Sequence, residues 1–281
     1  MRNNRKRTGK PMAEPAPAPV TQMSVHPSLS YVIPTEFVDL PSQGIFYPED
    51  HPLHNKDCIE IKYMTAKEED ILSSQSMLEK GVAIKRLLES IVVDQEVDVD
   101  TLLTCDVDAI LISARASAYG SEYKASVICS NCFETVNFSY NLNNKTHGGL
   151  FQDKKFLKEN NIEFDQEKRR FNIVLPSSKL KVGVRLLSNS DDEKYQLSEA
   201  QKNNSITFTL SSIVVSVQDL EEQDVVQSFI NAMPAQDSRF LRNTYLKLAP
   251  LVQLTHLVKC GNCGHEDRRE VPLNAGFFWP E

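Results

Sequence analysis

Four of the six cysteines stand in two like-spaced pairs, Cys129-Ser130-Asn131-Cys132 and Cys260-Gly261-Asn262-Cys263. A thiolate is a soft donor that binds zinc at about 2.3 Å, and the ion takes four such donors in a tetrahedron. A tight turn across two intervening residues presents both sulfurs on one side, so one pair fills half the shell and two complete it. Asn131, Gly261, Asn262 and Gly264 tolerate the backbone such turns require. The N-terminus is basic, but no apolar stretch follows it, so no secretory signal is read there. In the reducing compartment this implies, paired CxxC points to a metal and away from disulfides. The expectation is a structural Zn2+ held by Cys129, Cys132, Cys260 and Cys263; the bland alternative is two pairs of free or buried thiols. A four-thiolate shell leaves no position for water or substrate, so it reads as structural and not catalytic. His265 is an adjacent donor that the four sulfurs leave unneeded. Cys58 and Cys105 stand alone and read as small core residues.

Other chemistry finds no support. The sequence holds no P-loop, GxSxG elbow, HExxH or GxGxxG. None of the six histidines, His26, His51, His54, His147, His256 and His265, is spaced against a credible nucleophile. Asp94, Glu96, Asp98 and Asp100 alternate like a calcium loop, but Val99 stands where that loop needs glycine and Cys105 where it needs glutamate. The chain is therefore expected to be no enzyme, with no catalytic residue and no organic cofactor.

The elements that must carry the cysteines are legible on either side of them. Strands are read at 125–128 and 136–140 around the first pair, and at 254–258 and 268–271 around the second. Residues 121–140 and 254–273 are thus two hairpins, expected to meet as one split zinc ribbon. Nearly half the chain separates Cys132 from Cys260, so residues 141–253 are read as an inserted α+β sub-domain. Its first part, 141–168, is polar and carries little pattern. Strands follow at 171–175 and 180–186, then helices at 190–203, 206–217, 224–233 and 237–248.

Ahead of the ribbon, residues 34–120 read as a mainly helical region. A strand at 58–63 alternates Ile59, Ile61 and Tyr63 with Glu60 and Lys62. Thr65 with Glu68 three residues on forms a capping box ahead of Ile71 and Leu72. Helices are read at 80–92 and 106–119, the latter stopped by Gly120. Leu40 to Pro48 combines loop punctuation with large apolar groups and must pack on something. Residues 274–281 form an aromatic tail, Phe277-Phe278-Trp279, that either anchors in a partner or folds over its own core. Residues 1–33 are read as a disordered basic arm rich in Pro and Ala. The whole is an α+β chain.

Hydrophobic residues make up 41% of the chain and charged ones 25%, an ordinary globular balance. No run approaches the roughly 18 apolar residues of a membrane helix. The net charge is −7, although the first ten residues carry Arg2, Arg5, Lys6, Arg7 and Lys10 and no acid. The body is thus strongly acidic, which argues against nucleic acid as the main partner. The basic arm keeps one alternative open: a zinc-ribbon factor that binds nucleic acid or regulates transcription.

Beside this reading stands a resemblance. Leu40-Pro41-Ser42-Gln43-Gly44-Ile45-Phe46-Tyr47-Pro48 and Met64-Thr65-Ala66-Lys67-Glu68-Glu69-Asp70-Ile71-Leu72 resemble the T4-like bacteriophage baseplate protein family. So do Leu87-Leu88-Glu89-Ser90, Asp98-Val99-Asp100, Ala114-Arg115 and Tyr119-Gly120-Ser121-Glu122-Tyr123, and, more loosely, Leu241-Arg242 with Tyr245. The resemblance covers most of residues 35–275. It implies a hub subunit or hub assembly protein of a contractile tail, working through other hub or tail proteins, the tape-measure protein among them. It places the chain in the host cytoplasm during assembly and in the tail baseplate of the virion if it stays there.

Overall fold

Period-two alternation sets up the first paired elements. Thr35–Asp39 (β3) pairs antiparallel with Cys58–Lys62 (β4), with Val38 opposite Ile59, so that Val38, Ile59 and Ile61 turn inward. The computed structural model of the protein describes residues 21–26, 29–191, 205–271 and 275–278. Ahead of β3 lie Thr21–His26 (β1) and Leu29–Ile33 (β2), which pair as an antiparallel hairpin. This corrects part of the expected disordered arm: Met23 and Val25, then Leu29, Tyr31 and Ile33, alternate with other residues as a strand pattern does. Residues 1–20 of that arm lie outside the described residues.

The helices follow as Ala66–Ser73 (α1), Gln75–Glu79 (α2), Ala83–Ile91 (α3) and Thr104–Tyr119 (α4). At α1 the capping box forms in full: Thr65 accepts from the Lys67 N–H, and Glu68 accepts from the Thr65 N–H at 2.8 Å. Next come Glu122–Ile128 (β5), Thr135–Asn141 (β6), Thr146–Gly148 (β7), Lys154–Glu159 (α5), Ile162–Asp165 (β8), Arg170–Val174 (β9) and Lys181–Val184 (β10). The last third holds Ser205–Ile213 (α6), Val214–Val217 (β11), Gln223–Ala232 (α7), Ala235–Leu248 (α8), Leu251–Gln253 (β12), Thr255–Lys259 (β13) and Glu266–Glu270 (β14). A 3-10 turn covers Ala275–Phe278.

The fold is mixed α+β, with helices beside small antiparallel sheets. The largest sheet has the order β11-β10-β9-β8, and it buries Phe171, Ile173, Val182 and Val184. Strand β12 returns to pair with β7, Val252 opposite His147. This ties the end of α8 back to the chain that follows the first CxxC hairpin. The expected helix at 206–217 is helix only to Ile213; Val214-Val215-Ser216-Val217 is the edge strand of the large sheet. The expected helix at 190–203 falls almost wholly outside the described residues.

The Leu40–Pro48 segment is a loop whose apolar groups enter the core. Tyr47 is buried, and its hydroxyl donates to Asp106 Oδ2 at 2.8 Å while accepting from the Leu103 N–H at 3.0 Å. Asp106, fully buried in the first turn of α4, also accepts from the Ser42 N–H and hydroxyl at 3.0 and 2.6 Å. Gly44 lies at φ 68, and a Cβ there would sit 2.5 Å from the Leu53 carbonyl oxygen and the Lys56 N–H nitrogen, so only glycine fits. Phe46 packs on Phe151, Phe164 and Phe171 at ring distances of 5.3 to 5.5 Å.

The loop's apolar groups are expected to pack on something, and Phe46 and Tyr47 pack on the core of their own chain. Of the two expectations for the C-terminal aromatics, Phe277 and Phe278 follow the second and fold back over their own core. Phe277 and Phe278 are buried, Phe277 lies edge-on to Tyr123 at 5.3 Å, and Arg115 Nε donates to the Phe277 carbonyl at 2.8 Å. Trp279 lies outside the described residues.

Candidate metal centre

Each CxxC sits in the turn of a hairpin. Strands β5 and β6 pair in continuous register from Glu122 opposite Asn141 to Ile128 opposite Thr135. Strands β13 and β14 pair from Thr255 opposite Glu270 to Lys259 opposite Glu266. The two turns close by the same pattern of backbone bonds. The Cys129 N–H donates to the Glu134 carbonyl at 2.9 Å and the Phe133 N–H to the Cys129 carbonyl at 3.0 Å. In the second turn the Cys260 N–H donates to the His265 carbonyl at 2.8 Å and the Gly264 N–H to the Cys260 carbonyl at 2.9 Å. The residue after each pair takes positive φ: 60° at Phe133 and 71° at Gly264.

Alternation then decides which faces meet. In β5 and β6 the inward side chains are Tyr123, Ala125, Val127, Val136, Phe138 and Tyr140, while Lys124, Ser126 and Asn137 face solvent. In β13 the inward pair is His256 and Val258. The Phe138 ring stacks on His256 at 5.0 Å and 7°, and Tyr140 meets the same imidazole edge-on at 6.0 Å. This aromatic contact lays one hairpin on the other and brings the turns together.

The four sulfurs of Cys129, Cys132, Cys260 and Cys263 lie within 4.8 Å of one another. The closest approaches cross between the hairpins, Cys129 to Cys263 at 3.7 Å and Cys132 to Cys260 at 3.5 Å, although Cys132 and Cys260 are 128 positions apart in sequence. A tetrahedron with metal–sulfur bonds of about 2.3 Å has edges of about 3.8 Å. The donor set therefore fits a single tetrahedral ion in number, element and spacing. His265 stands beside this cluster and not in it: its Nε2 lies 3.2 Å from the Ser130 hydroxyl.

The thiols already feel one another. The His265 N–H and the Asn131 side chain hold Cys263 down to about 6. The N–H groups of Cys132 and Asn131 lower Cys129 as well. At Cys132 the Glu134 N–H acts in the same direction, but desolvation and the neighbouring sulfurs outweigh it and push this thiol up to about 11. Negative charge gathers in a small volume and is relieved either by protons or by a cation.

Of the two lone cysteines expected in the core, Cys105 packs against it. Cys58 and Cys105 are half-buried and lie outside the cluster, and burial pushes the Cys105 thiol up next to Asp106. The alternating acids close local turns, with Asp94 accepting from the Glu96 N–H and Asp98 from the Asp100 N–H, each at 3.0 Å. Among the described residues no helix is long and apolar enough to cross a membrane.

The structure adds one polar residue that spacing did not single out, Asp106. Its partners Ser42 and Tyr47 lie some sixty positions away, and an acid in a first helical turn is ordinarily solvated. Comparison of the chain with curated proteins and with solved structures finds no match. A family described as T4 bacteriophage base plate protein does match, over residues 38–279. That span takes in the Leu40–Pro48 loop, both CxxC hairpins and Phe277, and the chain belongs to this family of phage baseplate proteins.

Proposed function

We propose that the protein is a non-enzymatic structural or assembly protein of the hub of a T4-like tail baseplate, pinned by one structural zinc ion on Cys129, Cys132, Cys260 and Cys263. Membership of the baseplate family supports the setting, in which the partners are other phage tail or baseplate proteins. The observation that carries the metal is the convergence of four sulfurs from two distant hairpins at tetrahedral spacing. Four thiolates close the shell, so the ion contributes a cross-link and no open site for chemistry. In this reading residues 121–140 and 254–273 form a split zinc ribbon. Residues 34–120 precede it, 141–253 are inserted within it and 274–281 follow it, with Phe277 turned back onto the ribbon's base beside Tyr123.

Two measurements test the proposal. Elemental analysis of the purified chain is expected to give about one zinc per chain, four thiolates per ion. A purified chain that carries no zinc and takes none up when the ion is supplied would overturn the zinc assignment. Affinity capture from infected cells is expected to recover hub or tail proteins; recovery of nucleic acid or polymerase without them would overturn the hub assignment and favour a nucleic-acid-binding factor.

A further inference from the structure

The two CxxC turns match in backbone but not in the residue that follows them. After the second pair the left-handed position is Gly264, at φ 71. After the first it is Phe133, at φ 60, and its ring is 78% exposed. A residue with a Cβ in that conformation costs about 1–2 kcal/mol, which glycine avoids. Leaving an aromatic ring in water forgoes a further burial term. The first turn thus carries two local penalties that the second shows to be unnecessary for making the turn. Ile128, on the same hairpin, is 64% exposed. Among the described residues little covers Phe133, which projects as a knob.

The same chain holds a socket. A cleft of about 500 Å³ is lined by Ile45, Phe46, Phe151, Phe164 and Phe171, with Arg169 among its polar groups. That volume lies in the range of roughly 300–1,000 Å³ typical of clefts that accept compact ligands, and it admits a benzyl group with room for a second apolar side chain. The half-buried rings of Phe151 and Phe164 offer edge-to-face partners for an incoming ring, with Phe46 and Phe171 buried behind them. The charges agree as well. Glu134 is exposed beside the knob, and Arg169 lines the cleft, where its Nη1 donates to the Ile45 carbonyl at 2.9 Å.

We propose that Phe133 of one copy of this chain seats in the phenylalanine-lined cleft of a second copy, with Glu134 facing Arg169. The contact joins two different surfaces, so it supports reciprocal pairs or head-to-tail assembly. It goes beyond the hub reading, because it names a self-contact that needs no other tail protein. It rests on the geometry of the first hairpin whatever ion the cysteines hold.

Sedimentation of the full chain over a concentration series tests it, with metal content and melting temperature recorded for every variant. The wild type is expected to associate as concentration rises. Phe133→Gly should abolish association or weaken it roughly tenfold or more, as loss of a buried aromatic anchor does. The same change should leave the melting temperature unchanged or raised, since glycine suits the backbone there. Gln166→Trp, at an exposed position of the cleft, should block the socket with the same effect on association. An equimolar mixture of the two variants should associate again through one intact knob and one intact socket. A wild type that stays monomeric throughout, a Phe133→Gly variant that associates as the wild type does, or a mixture that fails to recover association would each overturn the proposal.

Discussion

Cys132 and Cys263 lie in one cluster and are pushed in opposite directions, one up to about 11 and the other down to about 6. In the metal-free protein near neutral pH, Cys263 is thiolate and Cys132 keeps its proton. A zinc ion needs every sulfur deprotonated, so uptake at neutral pH displaces at least the Cys132 proton. As pH falls through about 6, Cys263 takes up a proton too, and the competition steepens. Zinc affinity should therefore fall as pH falls, and faster below about 6 than above it, in titrations against a chromophoric chelator; an affinity independent of pH would contradict the thiolate site. A second prediction at this scale concerns substitution. Cys132→Ser should lose the metal and lower the melting temperature by roughly 5 °C or more. Cys58→Ser changes a half-buried group outside the cluster and should cost no more than about 1 kcal/mol. Equal losses in thermal melts would mean that the CxxC pairs hold no metal. The four cysteines were legible because spacing alone encodes a knuckle. Asp106 was not, because its role depends on a loop some sixty positions upstream.

At the scale of elements, local signals were readable wherever their partners were local. The Thr65 and Glu68 capping box lies within four residues, and both of its bonds form. Helices α3, α4, α7 and α8 follow the apolar spacing of their own sequences. The strand β11 was misread as a continuation of α6 because Ile213-Val214-Val215 is a short apolar run, which fits either period. Only pairing with β10, some thirty positions earlier, makes it a strand. The loop from Leu40 to Pro48 is the clearest case of an element held from outside. Asp106 accepts three hydrogen bonds from it, two from Ser42 and one from Tyr47. Removing the carboxylate leaves three buried donors without an acceptor, each worth about 1–3 kcal/mol. Asp106→Ala is therefore expected to destabilise the protein by about 3–5 kcal/mol in urea denaturation. Asp106→Asn should cost less, since one amide oxygen still accepts. A loss under about 1 kcal/mol for the alanine variant would show that Asp106 does not anchor the loop.

Over the whole molecule, the cross-link matters because of where it falls in the chain. The buried apolar side chains run in one cluster from Val38 to Phe278 and draw on the region before the first hairpin, the stretch between the hairpins and the segment after the second. Zinc would close a loop of 128 positions through this cluster. For loops of about 100 residues, the closure entropy removed from the unfolded chain corresponds to about 4–5 kcal/mol in the chain-entropy model. In a protein of this size such a change lowers the melting temperature by roughly 10 °C. The two hairpins and their flanks are also held without metal: β12 pairs with β7, Tyr123 packs on Phe277, and Phe138 stacks on His256. These contacts should keep the metal-free protein folded at moderate temperature, so that chelation shifts one cooperative transition and does not abolish it. Calorimetry with and without chelator checks this. A single transition moved down by about 10 °C is the expected outcome. A metal-free chain that melts in two separate steps would show instead that the hairpins fold independently of the core. In that case the ion would stabilise only the local turns, and the split ribbon would not act as the clasp of the molecule.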